Sequence, residues 1–294
     1  TLSVYFEGTA NRIDYNVTQI GLFADITDAL DLRLSRTSTS ETHQYKLSYD
    51  GCGVTNGSMG VVFATGLVEQ CTEARKAIDS MLSTAYDSVT LNIAGLSRGG
   101  IAAIYLAQMV GLYSPSVLTV NLLLFDPVPG NLITTSRFLD LLGYSTANAS
   151  MDLSICRNIG KVLALYPYLP LPDLAFHAPV FPIYPPGAHV TMDAVLGCHQ
   201  GALFCQKNKD ALLSFVRIKR WLTNCGTSLK NNQLADRLER TVIECKNYMD
   251  KELKSSQGEM ARHAHSYPAG VVIMRHKAES SLYLNKWHKE LTAE

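Results

Sequence analysis

The stretch Gly95-Leu96-Ser97-Arg98-Gly99-Gly100 sets a serine between glycines two positions away on either side. It directly follows the apolar run 89–94 and directly precedes a helical pattern opening at Arg98. Strand, sharp turn and helix in that order lift a serine Oγ above the edge of a sheet, where it can act as a nucleophile. Glycine at 95 and 99 suits a turn whose backbone is crowded by its neighbours, because a Cβ would collide there. A plain glycine-rich turn, or an anion-binding helix N-terminus, would use similar residues, so Ser97 has to be judged by its partners.

A serine nucleophile needs a base, and the base needs an orienting carboxylate; in this arrangement they follow in the chain order Ser, Asp or Glu, His. Asp126 closes the apolar run 122–125 just before Pro127, which predicts a carboxylate at the C-terminal end of the next strand, on the same edge as Ser97. Asp-Pro also ends strands for conformational reasons alone, and Asp173 and Asp193 are the alternatives. Of eight histidines, His43 precedes the serine, and His263, His265, His276 and His288 sit in a basic C-terminal stretch. His177, His189 and His199 remain. His189 is the expected base, because the loop 185–188 leads into it and the apolar run 190–196 follows, whereas His177 reads as part of an extended proline-rich segment. The oxyanion of an acyl intermediate needs two backbone N–H groups. The residue after the nucleophile, Arg98, would give one, and Gly8 or Thr9, in the small polar turn 7–11 after the first strand, the other; a simple turn is the plain alternative there.

The elements that must position these groups alternate. Strands are expected at 2–6, 45–49, 89–94, 117–125 and 161–166, and helices within 59–86 and at 98–110 and 133–142. Val68, Cys71, Ala74, Arg75, Ile78 and Leu82 recur at helical spacing in the first helix. Such alternation argues for an α/β fold, a mostly parallel sheet with helices on both faces. Seven of the eleven prolines fall between 167 and 186, interleaved with aromatic residues. Proline blocks helix interiors and removes backbone donors, so this stretch is expected to be an extended excursion that walls an apolar pocket. Helical patterns follow at 207–222 and along the stripe Leu229, Leu234, Leu238, Val242, Cys245, Met249 and Leu253. A catalytic domain at 1–205 and a helical region at 206–294 are therefore expected. Charge changes at the same place: 10 Lys/Arg against 16 Asp/Glu up to 205, then 16 against 10. The basic region suits contact with an anionic membrane, or packing on an acidic neighbour.

Composition narrows the class. At 47% hydrophobic and 18% charged over 294 residues, the chain is neither disordered nor collagen-like nor a coiled coil. Its apolar runs are broken by Gly111, Ser114 and Pro115, short of the roughly 20 residues of a spanning helix, so a soluble protein is expected. Zero net charge gives no sign of a nucleic-acid partner. No basic or apolar leader precedes the strand pattern 1–8, so any targeting signal is expected to be removed or never present. Seven cysteines without CxxC spacing fit free thiols in a reducing compartment. Cys198, His199 and Cys205 lack the second ligand pair of a structural zinc site.

Taken together, residues 6–11 (Phe-Glu-Gly-Thr-Ala-Asn), 49–53 (Tyr-Asp-Gly-Cys-Gly), 95–99, Phe125-Asp126 and 186–189 (Pro-Gly-Ala-His) resemble the α/β-hydrolase domain of bacterial type VI-secreted phospholipase effectors and their uncharacterised relatives. The likeness spans about 1–195. It implies that Ser97, Asp126 and His189 form the triad, that Gly8 or Thr9 supplies an oxyanion donor, and that phospholipid esters are cleaved after delivery into a target cell. Glu7 replaces the usual Asp, Leu96 the usual aromatic residue, and the last third has no counterpart. The expected activity is a serine hydrolase of carboxylic esters, most simply of lipids (a lipase or phospholipase), with no metal or organic cofactor implied. An acyltransferase or thioesterase would use the same triad, and a non-catalytic binding module could use the same fold.

Overall fold

The computed structural model describes residues 1–34, 43–54, 66–128, 152–169, 180–199, 211–233, 235–238, 240, 262–266 and 272–276. Its centre is a seven-stranded sheet built from β1 (Leu2–Phe6), β2 (Leu30–Asp31), β3 (Tyr45–Tyr49), β4 (Val89–Leu96), β5 (Leu118–Phe125), β6 (Ile159–Leu169) and β8 (His189–Cys198). The strands lie in the order β2-β3-β1-β4-β5-β6-β8, and every pairing is parallel. In β4 and β5 all positions but the second are buried. That near-continuous burial is what a parallel sheet covered on both faces demands, and it explains why these strands read as apolar runs rather than alternating ones. The chain builds outward from β1 to β3 and then crosses back to β4 on the other side of β1. This reversal opens a crevice at the carboxyl ends of β1 and β4, where ligands bind in open α/β sheets. The chain has an α/β-hydrolase-like fold.

Two helix pairs cover the sheet. On one side, α1 (Gln19–Ile26) meets α4 (Ala211–Asn224), with Phe23 stacked on Phe215 at 5.0 Å between ring centres. On the other, α2 (Leu67–Thr84) lies on α3 (Arg98–Met109), and the Cys71 thiol donates to Ala102 O at 3.4 Å. Ser3 and Tyr5 of β1 bond to Thr227 and Thr27, while the alternate Phe6 stacks on Tyr49 at 5.2 Å, as the two-residue period of a strand requires. The buried stripe of α2 is Leu67, Cys71, Ala74, Ile78 and Met81. Val68, expected in that stripe, is 44% exposed: the helix is rotated so that Leu67 enters the core in its place.

The first helix beyond residue 205 is a layer of this same core, with Phe215, Ile218 and Leu222 buried in it. A buried polar chain ties down the turn that follows. Asn121 Nδ2 donates to Asn92 Oδ1 (2.9 Å), and Asn92 Nδ2 donates to Cys225 O (3.0 Å) and Thr227 Oγ1 (2.9 Å). A smaller antiparallel sheet sets β10 (Val272–His276) between β7 (Val180–Phe181) and β9 (Arg262–Ser266). The helix expected at 133–142, residues 170–179 of the proline-rich stretch, and the apolar stripe beyond 240 lie outside the described residues. Among the described residues no helix is long and apolar enough to cross a membrane.

Candidate active site

Ser97 sits between the end of β4 and the start of α3 with φ 56° and ψ −120°, a conformation that L-residues rarely adopt. The neighbouring backbone leaves no other path. A Cβ on Gly95 would lie 2.1 Å from Gly99 O, and one on Gly99 would lie 2.2 Å from Phe6 O. Both glycines therefore permit the close approach of β1, β4 and α3 that forces the turn. The Ser97 N–H donates to Phe125 O (2.9 Å), and its carbonyl accepts from Val128 N (3.1 Å), so the elbow is pinned to the end of β5.

Asp126 ends β5 beside it, fully buried, with φ 42°. Its N–H donates to Leu165 O of β6 (2.8 Å). His199, which directly follows β8, completes the constellation. With Asp126 ionised, His199 Nδ1–H donates to Asp126 Oδ2 (2.5 Å) and Nε2 accepts from the Ser97 hydroxyl (3.1 Å). Ser97 and His199 are 8% and 7% exposed, so both residues sit in a recess that water reaches only in part.

His189, the histidine expected here, is not at this site. It is exposed at the first position of β8, paired in register with Lys161. Ten positions at about 3.3 Å each put it roughly 30 Å from His199, at the opposite end of the strand. The loop before His189 and the apolar run after it mark the start of a strand, whereas Ser97 and Asp126 both stand at strand carboxyl ends. Carrying the run 190–196 forward as a strand points to His199 as the histidine leaving its far end. Asp193 lies within β8 opposite Leu165, and Asp173 and His177 lie outside the described residues.

The two expected oxyanion elements meet at the crevice, since a Cβ on Gly8 would touch Leu96 Cγ at 3.2 Å. Gly8 itself is not a free donor: its N–H is held by its neighbour, donating to Glu7 Oε1 at 2.8 Å. The N–H groups of Arg98 and Thr9 have no acceptor among the described residues. Arg98 is buried, with Nη1 3.8 Å from the Cys52 thiol. Burial lifts the Glu7 carboxyl to about 7, aided by nearby Asp50, despite hydrogen bonds that oppose the rise. Burial likewise pushes up the thiols of Cys71 and Cys156, and that of Cys225 to about 11. Among the described residues no three His, Cys, Asp or Glu side chains are grouped to hold a metal ion.

No protein-family model matches the chain, and no curated protein sequence matches it. Among solved structures, an uncharacterized protein from Pseudomonas aeruginosa is similar at 11% identity and a TM-score of 0.49, over 87% of this chain and 53% of that one. This chain thus spans about half the length of the Pseudomonas protein. A chain from Lactobacillus plantarum WCFS1, provisionally described as a cell surface hydrolase, is similar at 10% identity and a TM-score of 0.46, over 86% of this chain and 97% of that one. A gene product of Listeria innocua is similar at 12% identity and a TM-score of 0.43, over 75% of this chain and 92% of that one.

Proposed function

We propose that the protein is a serine hydrolase of carboxylic esters, with lipids as the substrate class. The observation that carries this reading is the continuous hydrogen-bonded path from Ser97 Oγ through His199 to Asp126 at the strand carboxyl edge. In the proposed reaction His199 Nε2 takes the Ser97 proton as Oγ attacks the ester carbonyl. Asp126 holds the ring with Nδ1 protonated and stabilises the imidazolium that forms. The N–H groups of Arg98 and Thr9 receive the negative oxygen of the tetrahedral intermediate. The intermediate collapses as the imidazolium protonates the departing alcohol. Water then enters, His199 removes its proton, and the acyl group leaves as a carboxylic acid with Ser97 restored. A lipid acyl chain suits the aromatic, proline-rich composition of 167–186, and the basic excess of 206–294 suits an anionic bilayer.

A fluorophosphonate probe tests the chemistry. The wild-type chain is expected to be labelled, and Ser97→Ala to lose both label and ester turnover, with kcat falling on the order of 10⁴-fold or more. Unchanged turnover in Ser97→Ala, or an unlabelled wild type that hydrolyses no ester across a lipid panel, would leave the fold as a binding scaffold. Ester product that appears only when an alcohol acceptor is added would assign a transferase instead.

A further inference from the structure

We propose that Glu7 is a positioning residue for the oxyanion loop, fixing the Gly8 peptide so that Thr9 supplies the loop's donor. This rests on the serine-hydrolase reading of Ser97. Glu7 leaves the end of β1 as a residue only 2% exposed. One carboxylate oxygen accepts from Gly8 N (2.8 Å) and the other from the Thr18 hydroxyl (2.6 Å). Thr18 Oγ1 in turn accepts from Gly21 N (3.0 Å) and caps α1. The Glu7 backbone is equally constrained, its N–H donating to Tyr49 O (3.1 Å) and its carbonyl lying 2.5 Å from where a Cβ on Gly99 would stand. From the far side Gly51 presses on the Gly8 carbonyl so closely that a Cβ would overlap it. One residue thus joins β3, α1 and the helix that begins at the nucleophile.

The choice of a carboxylate here needs a reason, because burying one is costly. Two donors, an N–H and an O–H, converge on Glu7, and only a side chain whose two ends both accept can satisfy them. A glutamine turns an NH₂ toward one of the donors, so either the Gly8 bond is lost or the Thr18 hydroxyl must rotate away. The charged and titratable neighbours are Asp50, after β3, and Arg98 and Cys52, which line the same small cavity of about 10 Å³; α1 contributes only Thr18 and Gly21. Protonation of the carboxyl converts one acceptor into a donor and releases one of the two bonds. The Gly8 peptide is therefore held best when Glu7 is ionised.

The experiment compares wild type, Glu7→Gln and Glu7→Ala on a short soluble ester, with fluorophosphonate labelling alongside. Releasing the loop should lower kcat about 10- to 100-fold in Glu7→Ala and roughly 3- to 10-fold in Glu7→Gln, with KM within about twofold, since one oxyanion donor is worth about 10²–10³ in kcat. The acid limb of log kcat should be shallower in Glu7→Gln than in wild type, because the variant lacks the Glu7 carboxyl. If Glu7→Ala lacks the far-ultraviolet dichroism of a folded chain, Glu7→Gln, which conserves volume, decides alone. A wild type that is neither labelled nor active removes the hydrolase reading. A labelled, active wild type matched by Glu7→Gln in kcat and in the slope of the acid limb overturns the positioning role while leaving the hydrolase standing.

Discussion

Replacing Ser97 by glycine should stabilise the fold relative to replacing it by alanine. At φ 56° and ψ −120° an L-residue holds its Cβ against its own backbone, a strain of about 1–3 kcal/mol at positions of this kind. The mirror image, φ −56° and ψ 120°, is ordinary extended backbone, so glycine adopts the observed angles without strain. Glycine gives back roughly 0.5–1 kcal/mol through the greater freedom of its unfolded chain. Both variants lose the same Oγ to His199 Nε2 bond, which therefore cancels in the comparison. The balance favours Ser97→Gly over Ser97→Ala by about 0.5–2 kcal/mol. Urea denaturation with equal m-values reads this as a higher midpoint for the glycine variant, with ester turnover abolished in both. If Ser97→Ala proves as stable as Ser97→Gly, the elbow stores no strain and the reasoning fails.

Other expectations separate the site from its surroundings. His199→Ala should lower kcat on the order of 10⁴-fold, while His189→Ala, exposed at the opposite end of β8, should leave the rate of soluble-ester hydrolysis unchanged. Phe215→Ala removes the partner of Phe23 and should cost about 3–5 kcal/mol by urea denaturation; a loss below 1 kcal/mol would detach α4 from the core. Glu7 has its carboxyl raised from 4.5 to about 7 in the folded chain, so the folded state binds that proton more tightly than the unfolded one. The stability this proton contributes is complete below about 4.5 and lost as pH rises through about 7, a change of about 3 kcal/mol. Glu7→Gln should therefore gain on wild type by about that amount between pH 4.5 and 8, and a pH-independent gap between them would rule the shift out.

The half of the site that depends on local chain geometry was legible in the sequence. The glycine spacing around Ser97 and the apolar run ending at Asp126 each announce a strand end, and the structure brings both residues to one edge. His199 was hidden, because its place beside Asp126 and Ser97 depends on which end of a strand reaches the edge rather than on its flanking residues. The loop after β1 was legible as a glycine turn, but the Glu7 side chain folding back on the Gly8 peptide is something no spacing reveals. Packing across the change of charge at 205 was equally invisible: net charge describes solvated faces, and the apolar residues of α4 join the sheet regardless of it.

Register explains how a histidine from the edge strand reaches an aspartate two strands away. Leu96 pairs with Phe125, Phe125 with Leu165 and Leu165 with Asp193, so Ser97 and Asp126 stand level at the ends of neighbouring strands. His199 leaves β8 five residues beyond the level of Ala194, the position that corresponds to Asp126. Five residues carry a strand about 16 Å past that level, so a straight β8 would overshoot. The β6–β8 ladder shifts register between Pro167 and Leu169, where the proline has no N–H to give. Irregularities of this kind bend and twist a strand, and this one falls between Val195 and Cys198, just before the His199 ring that meets Asp126 and Ser97. Ser97 and Asp126 both take a positive φ where they leave their strands, and both side chains bond to that imidazole. The hydrogen-bonded path from Ser97 through His199 to Asp126 thus forms where three local departures from regular strand geometry meet, two at the ends of the deeply buried strands β4 and β5 and one in the β6–β8 ladder.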